Sequence, residues 1–320
     1  MGQPTRQQIY KDLLLTNMAI RYQPTDLVAE RAFPTVPVGL PSGYFPRFKK
    51  GAWFRDEASV RGWGDTAKRG GYPIGTGTYA CKDVSFGKKV PDEERKYSAG
   101  PAISPDIQAT AFVTNKVLLR KERIVAAACC LAANWASTDD IEGAWATPST
   151  STFITNTESG IEAVRKATGR RPNKLVIEAA TFAAVKQGAD VLARIQYGGG
   201  PNDPAKVTAQ MLAQLFDLDE CLIAGGVYSS EDEQYDGDDF TAASIWETNA
   251  GKGAAILLYV PRVASIQEPS AGYLFNTEQR YIRRYREEAP MADIIECHEE
   301  FDFQITGNDL GYLMYDTLST

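Results

Sequence analysis

Apolar residues recur every three to four positions at Ile107, Ala111, Val117, Leu118, Ile124, Val125, Ala128, Leu131 and Trp135, the period of an amphipathic helix. Ser104, Pro105 and Asp106 open it with a capping hydroxyl, a proline whose missing N–H costs nothing in the first turn, and a carboxylate at the positive end of the dipole. No helix breaker falls before Ser137, so the pattern predicts a rod of roughly 30 residues, on the order of 45 Å long. Lys116, Arg120, Lys121 and Arg123 cluster midway along it. One face is therefore expected to be buried and another basic, the basic one serving as a salt-bridge partner for an acidic loop of a neighbouring subunit.

Upstream the pattern changes character. Residues 8–20 form a short amphipathic helix, and Pro24, Pro34, Pro37, Pro41 and Pro46 then impose an extended path over another surface, an N-terminal arm. From 51 to 100 runs a charged ribbon punctuated by Gly62, Gly64, Gly70, Gly71, Gly75 and Gly77. It ends in TYACKDVSFGKKVP, whose alternation of Tyr79, Cys81, Asp83 and Ser85 with Ala80, Lys82, Val84 and Phe86 predicts one limb of a two-stranded hairpin. A lone hairpin is only marginally stable in water, so this one is expected to lie on another chain.

Downstream, the Ser/Thr-rich stretch 147–157 marks a domain boundary. A compact α/β unit follows, with helices at 158–168, 179–187, 191–197 and 205–216 and strands at 174–177, 220–224 and 254–260. From Tyr273 the chain turns to strands, TEQRYIRRYREE, MADIIECHEEFDFQIT and GYLMYDTL, which are expected to pair at the base of the long helix. There is no internal repeat.

The 320 residues, 43% of them hydrophobic, allow two compact domains. No run of 18 apolar residues exists, and the N-terminus has neither a secretory signal nor a myristoylation match, so the chain is expected to be soluble and intracellular when made. Five cysteines, at 81, 129, 130, 221 and 297, form no CxxC pair, which fits a reducing compartment with Cys129 and Cys130 as small core residues. The net charge of −7 argues against dedicated nucleic-acid reading unless a local basic face overrides it, so any DNA contact should be loose.

Chemistry-bearing motifs are sparse. His298 is the only histidine, which rules out a second imidazole for a metal site, and no GxSxG elbow accompanies it; it reads as a solvated strand residue. Gly75-Thr76-Gly77 lacks the third glycine and following helix of a dinucleotide fingerprint, and Gly251-Lys252 lacks the rest of a phosphate loop and reads as a hairpin turn. Glu231, Asp232, Glu233, Asp236, Asp238 and Asp239 miss the EF-hand spacing and read as a solvated loop. No catalytic residue, cofactor site or metal site can be named, and an enzyme is not expected.

Taken together, the Pro-rich arm, FRDEASVRGWG…GTYACKDVSFGKKVPDEERK, the Ser104 helix and GRRPNKLVIEAATFAAVK…VTAQMLAQLFDLDECLIAGGVY resemble a tailed-bacteriophage major capsid protein of the Hong Kong 97-type fold. The resemblance spans nearly the whole chain and rests on the order of these segments; LLYVP followed by PSAGY adds to it. It implies an α+β fold with an N-arm (1–50), an extended E-loop hairpin (51–101), a P-domain with the spine helix (102–154), an α/β A-domain (155–265) and P-domain strands (266–320). It further implies self-assembly into pentamers and hexamers that form an icosahedral shell around double-stranded DNA, with localisation in the virion after assembly in the host cytoplasm. The partners it implies are further copies of the chain, a scaffolding protein, a portal protein, a decoration protein and the packaged DNA, with no membrane.

Arg61, Lys68 and Arg69 of the ribbon, with Lys116, Arg120, Lys121 and Arg123, are the candidate inter-subunit contacts. About 100 residues precede the spine helix, too few for the cleavable scaffolding segment of some relatives, so a separate scaffolding protein is expected. Some relatives also weld subunits by a lysine–asparagine isopeptide bond; Lys68 and Asn308 are candidates here, with no motif identifying them. Two other readings stand beside this one: an encapsulin-like cargo compartment on the same fold, and a cytosolic α/β enzyme built on residues 175–228, against which the lack of convergent catalytic motifs counts.

Overall fold

The computed structural model describes residues 12–21, 24–48, 54–97, 104–196, 207–229, 241–249, 251–265, 268–289 and 291–318. Fifteen strands are described among them: β1 (Thr35–Pro37), β2 (Ser42–Phe48), β3 (Ile74–Ala80), β4 (Lys82–Pro91), β5 (Thr138–Asp140), β6 (Lys174–Glu178), β7 (Glu220–Ala224), β8 (Val227–Ser229), β9 (Ala242–Ser244), β10 (Glu247–Asn249), β11 (Lys252–Gly253), β12 (Ala255–Leu258), β13 (Tyr273–Glu287), β14 (Ala292–Gln304) and β15 (Gly311–Tyr315). Two sheets organise the body, one of four strands in the order β1-β13-β14-β4 and one of five in the order β5-β15-β12-β6-β7. The pairs β2-β3, β8-β9 and β10-β11 stand apart from them.

One long helix, Pro105–Cys129, connects the sheets. Its first half lays Ala109, Val113 and Val117 against Val90, Ile282, Ile295 and Cys297 of the four-stranded sheet, with Leu15 and Ala19 of the helix Leu13–Arg21 closing that core. Its second half lays Val125, Ala126 and Cys129 against Val176, Leu222 and Ile256 of the five-stranded sheet. The opposite face of that sheet, through Leu175, Ile177, Ala255 and Leu257, buries Phe153, Ile161, Phe182 and Leu212 of the helices beyond it. The central strands are apolar on both faces, as a sheet covered on both sides requires.

The helix is shorter than its apolar period predicts. It stops at Cys129 because its last carbonyls find side-chain donors: Asn134 Nδ2 donates to Ala128 O at 2.8 Å and Trp135 Nε1 to Cys129 O at 2.7 Å, across a single 3-10 turn at Ala132–Asn134. Twenty-five residues give a rod of about 37 Å. Ser104 sits at the N-cap with extended backbone, yet its hydroxyl makes no capping bond. Asp106, in the first turn, is taken up by Arg95 at 2.7 Å and Arg284 at 3.7 Å.

Three further expectations are corrected. The helix expected from 158 begins at Phe153, because Asp190 accepts the Ile154 N–H at 3.1 Å and so caps it from 36 residues away. The run expected to be one hairpin limb lying on another chain is two strands, broken at Cys81, that both pair within their own: β3 with β2 of the arm, and β4 with β14 along ten residues from Pro91 to Lys82. The last strand, β15, pairs with β12 and β5 in the five-stranded sheet and not with the long β13–β14 hairpin.

The helix Phe153–Thr168 ends at Gly169, whose φ of +69° places it in the left-handed region that only glycine adopts freely. The Phe54 ring packs against the hydrogen side of the same glycine, 2.8 Å from where a methyl would stand. Gly169→Ala is expected to destabilise the protein by about 1 kcal/mol through backbone strain alone, and more if Phe54 cannot shift. Chemical denaturation of the two proteins checks it, and an unchanged midpoint contradicts the cap.

Candidate interaction surface

Residues 54–73, the described part of the connection between β2 and β3, carry neither helix nor strand, and all but Glu57 are exposed. Trp63 and Val60 are fully exposed, at 105% and 102%. Their internal structure is local: a turn closed by Asp65 N–H on Gly62 O at 3.2 Å and an Arg55–Glu57 pair at 3.1 Å. Phe54, at the near end, is the residue that leans on the body at Gly169. Arg61, Lys68 and Arg69 all lie in this stretch, exposed and with no ion pair among the described residues.

The base from which the ribbon springs is closely packed. Phe45 of β2 and Tyr79 of β3 stack on Phe275 of β13, with ring centroids 5.5 and 4.7 Å away. Arg47 Nη2 donates to Ile305 O at 3.0 Å, and Asp302 accepts the Ala80 N–H at 2.9 Å. Gly77, part of the glycine pair weighed as a nucleotide fingerprint, faces Phe45 across the two strands, where any Cβ would collide with the ring. The hairpin itself therefore requires a glycine at this position.

A second fastening joins the arm to the long helix. Glu122, buried in that helix, accepts the N–H groups of Val28 and Ala29 at 2.9 and 2.8 Å and Nε1 of Trp246 at 2.6 Å, so one carboxylate holds the arm and the edge of the outer unit together. Beside it, Lys121 Nζ meets Glu30 at 2.9 Å and Glu299 at 2.6 Å, and Arg280 meets the same two acids at 2.6 and 3.2 Å. Lys121, expected to face a neighbouring subunit, is therefore spent inside its own: it is 2% exposed.

Lys116, Arg120 and Arg123 are exposed along one stripe, with no carboxylate partner among the described residues. Lys116 lies over the Phe112 ring at 5.5 Å and Arg123 over Tyr228 at 4.1 Å. The acidic residues 231–239 fall outside the described residues. His298 is not solvated as expected: it sits between Asp83 at 3.0 Å and Glu296 at 3.3 Å and stacks on Tyr281, with only 13% of its side chain exposed. Among the described residues no group of His, Cys, Asp and Glu could hold a metal, and no helix is long and apolar enough to cross a membrane. Burial pushes the Cys130, Cys221 and Cys297 thiols up to about 12 and holds Cys129 well above the ordinary thiol range, so these four behave as small apolar residues.

Burial would raise the Glu30 carboxyl, but Lys121 and Arg280 outweigh it and hold it below the ordinary carboxylate range. Asp293 follows the same course: burial raises it, and Arg284 and Arg95 bring it lower overall. Lowered acids contribute stability that is present above their unfolded values, about 4, and is lost as pH falls through their folded ones. Glu122 has the opposite sign: burial raises its carboxyl, so its contribution is fullest below the unfolded value and declines as pH rises through the folded one. Asp92, Glu162 and Asp219 are lowered by arginine partners as well, so with five lowered acids against one raised the unfolding midpoint is expected to hold near neutrality and fall once pH drops below about 4. A midpoint that rises on acidification contradicts this balance.

No protein-family model matches the chain. It is 25% identical to the major capsid protein of Burkholderia phage BcepMu over 329 aligned residues, which cover 98% of both proteins. The crystal structure of a phage-related protein from Bordetella bronchiseptica RB50 superposes with a TM-score of 0.75 at 22% identity, covering 98% of this chain and 99% of that one. The capsid structure of cyanophage P-SCSP1u superposes with a TM-score of 0.56 at 10% identity, over 88% of this chain and 84% of that one.

Proposed function

We infer that this chain is a tailed-phage major capsid protein, a structural subunit of the virion shell built on the Hong Kong 97-type α+β fold. In the terms of that fold, we assign residues 1–50 to the arm and 51–101 to the E-loop, the helix Pro105–Cys129 to the spine, the four-stranded sheet to the P-domain and the five-stranded sheet to the A-domain. The subunits close as pentamers and hexamers into an icosahedral container for double-stranded DNA, through repeated head-to-tail contacts between copies. A separate scaffolding protein, a portal and a decoration protein complete the proposed set of partners, and assembly takes place in the host cytoplasm.

The observation that carries this reading is the ribbon. Twenty residues, including a tryptophan and a valine with no cover, project from a base that three stacked aromatic rings hold still. An isolated molecule gains nothing from ordering such a segment, whereas a neighbouring copy that receives Trp63 and Val60 gains about 1.5–3 kcal/mol for each side chain buried. Arg61, Lys68 and Arg69 are then the charged contacts of the same joint. Electron microscopy of the purified protein tests the proposal: closed particles of uniform size are expected. A population that stays monomeric or dimeric at high concentration, with and without a co-expressed scaffolding protein, refutes it.

A further inference from the structure

We propose that the exposed face of the long helix from Lys116 to Arg123, with the groove beside it, is a docking surface for the phosphate backbone of double-stranded DNA. This rests on the reading of the chain as a DNA container and gives that container a defined internal contact. The helix carries six charged residues, and three are consumed within the chain: Asp106 by Arg95 and Arg284, Lys121 by Glu30 and Glu299, and Glu122 by two backbone N–H groups and an indole. What remains is an all-cationic line, Lys116, Arg120 and Arg123, at spacings i, i+4 and i+7 that put the three on one face over a rise of about 10 Å.

The cations are presented rather than collapsed. Lys116 Nζ lies 5.5 Å over the Phe112 ring and the Arg123 guanidinium carbon 4.1 Å over the Tyr228 ring, contacts that hold the two charges on the exposed helix face without a carboxylate to neutralise them. Arg120 and Arg123 also line a groove of about 410 Å³ between the helix and the strands β8 to β10, walled by Ile124, Tyr228 and Ser244. Glu247 is the one carboxylate of that wall, and it is turned to the Gly251 N–H at 3.2 Å. A protein segment seated here would need an apolar anchor pocket, and of the apolar lining Ile245 is already buried and Tyr228 is covered by Arg123, which leaves Ile124 and Ala127. A phosphodiester backbone needs only a row of cations at comparable spacing and an open path along them. With a net charge of −7 on the chain as a whole, the contact is local and strongly salt-dependent.

The test compares the full-length chain with K116Q/R120Q/R123Q, each as unassembled subunits titrated with a duplex of about 30 base pairs at several salt concentrations. The wild-type chain is expected to bind, and the variant to bind at least about tenfold more weakly at low salt, with the slope of log affinity against log salt reduced by about 3. No binding by the wild-type chain, or the same affinity and slope in both proteins, overturns the proposal. So does a variant that binds the duplex normally but no longer forms particles, which would make the stripe a contact with a neighbour's acidic segment. The three residues are exposed, so the variant should fold, and its unfolding midpoint verifies that. If the wild-type chain forms no shells, the container reading fails by itself, whatever the duplex titration gives.

Discussion

A chain in which residues 56–72 are replaced by a short Gly-Ser turn should fold normally and form no closed particles. Every residue of the excised stretch but Glu57 is exposed, the turn at Asp65 and the Arg55–Glu57 pair are local, and Val60 and Trp63 lie in solvent. Surface changes away from caps, cores and ion pairs usually move stability by less than about 0.5 kcal/mol, and a shorter connection slightly lowers the cost of closing the β2–β3 hairpin. The register from Ser42 opposite Ala80 to Phe48 opposite Ile74 stays intact, as do the stacked rings at the base. Particle yield should nonetheless fall by well over tenfold, because every copy loses the same joint and losses repeat around each ring. Thermal unfolding and sedimentation of the same preparation separate the two effects. Particles at wild-type yield would show that the ribbon does not hold neighbours.

The second large effect is expected at Lys121→Met, and it should fall on the subunit rather than on the shell. Lys121 and Arg280 balance Glu30 and Glu299 in a cluster of four, three of them buried and Glu30 half-buried, in which Lys121 also lies 5.1 Å from the Phe301 ring. Methionine keeps the packing but leaves two carboxylates facing one guanidinium, with Glu299 away from water. Breaking one partner out of such a cluster costs about 3–5 kcal/mol, which for a chain of this size lowers the midpoint by roughly 4–7 °C. Arg120→Met, one residue earlier, should change stability by no more than about 0.5 kcal/mol, since its side chain is exposed. Equal effects of the two substitutions would contradict the placement of Lys121.

That contrast also marks how far the sequence was legible. Four basic residues in eight positions look like one patch until each is placed at about 100° per residue. Lys116, Arg120 and Arg123 then share a face, while Lys121 falls in line with Val117 and Val125, both buried, four residues to either side. The signal for its burial was in the spacing and was overridden by charge. The long helix, the α/β order around β6 and β7, and the unsupported ribbon were readable because each is a local pattern of period or composition. The clasp was not: Glu122 meets partners 93, 94 and 124 residues away, and no local rule selects a glutamate inside a helix as an acceptor for distant N–H groups. The place of β15 failed for a similar reason, because a five-residue apolar strand fits either sheet until its neighbours are known.

The position of β15 has a consequence for the order of events on the ribosome. It lies between β5 and β12, strands that begin 173 and 56 residues before it in the chain, and the long hairpin that receives β4 is also made late. A nascent polypeptide therefore exposes its ribbon early but holds an unfinished sheet until residues 311–315 have been released from the exit tunnel. On the proposed reading of the ribbon, prematurely terminated products would carry it without a finished body to receive a neighbour's, and so would be shut out of the growing lattice.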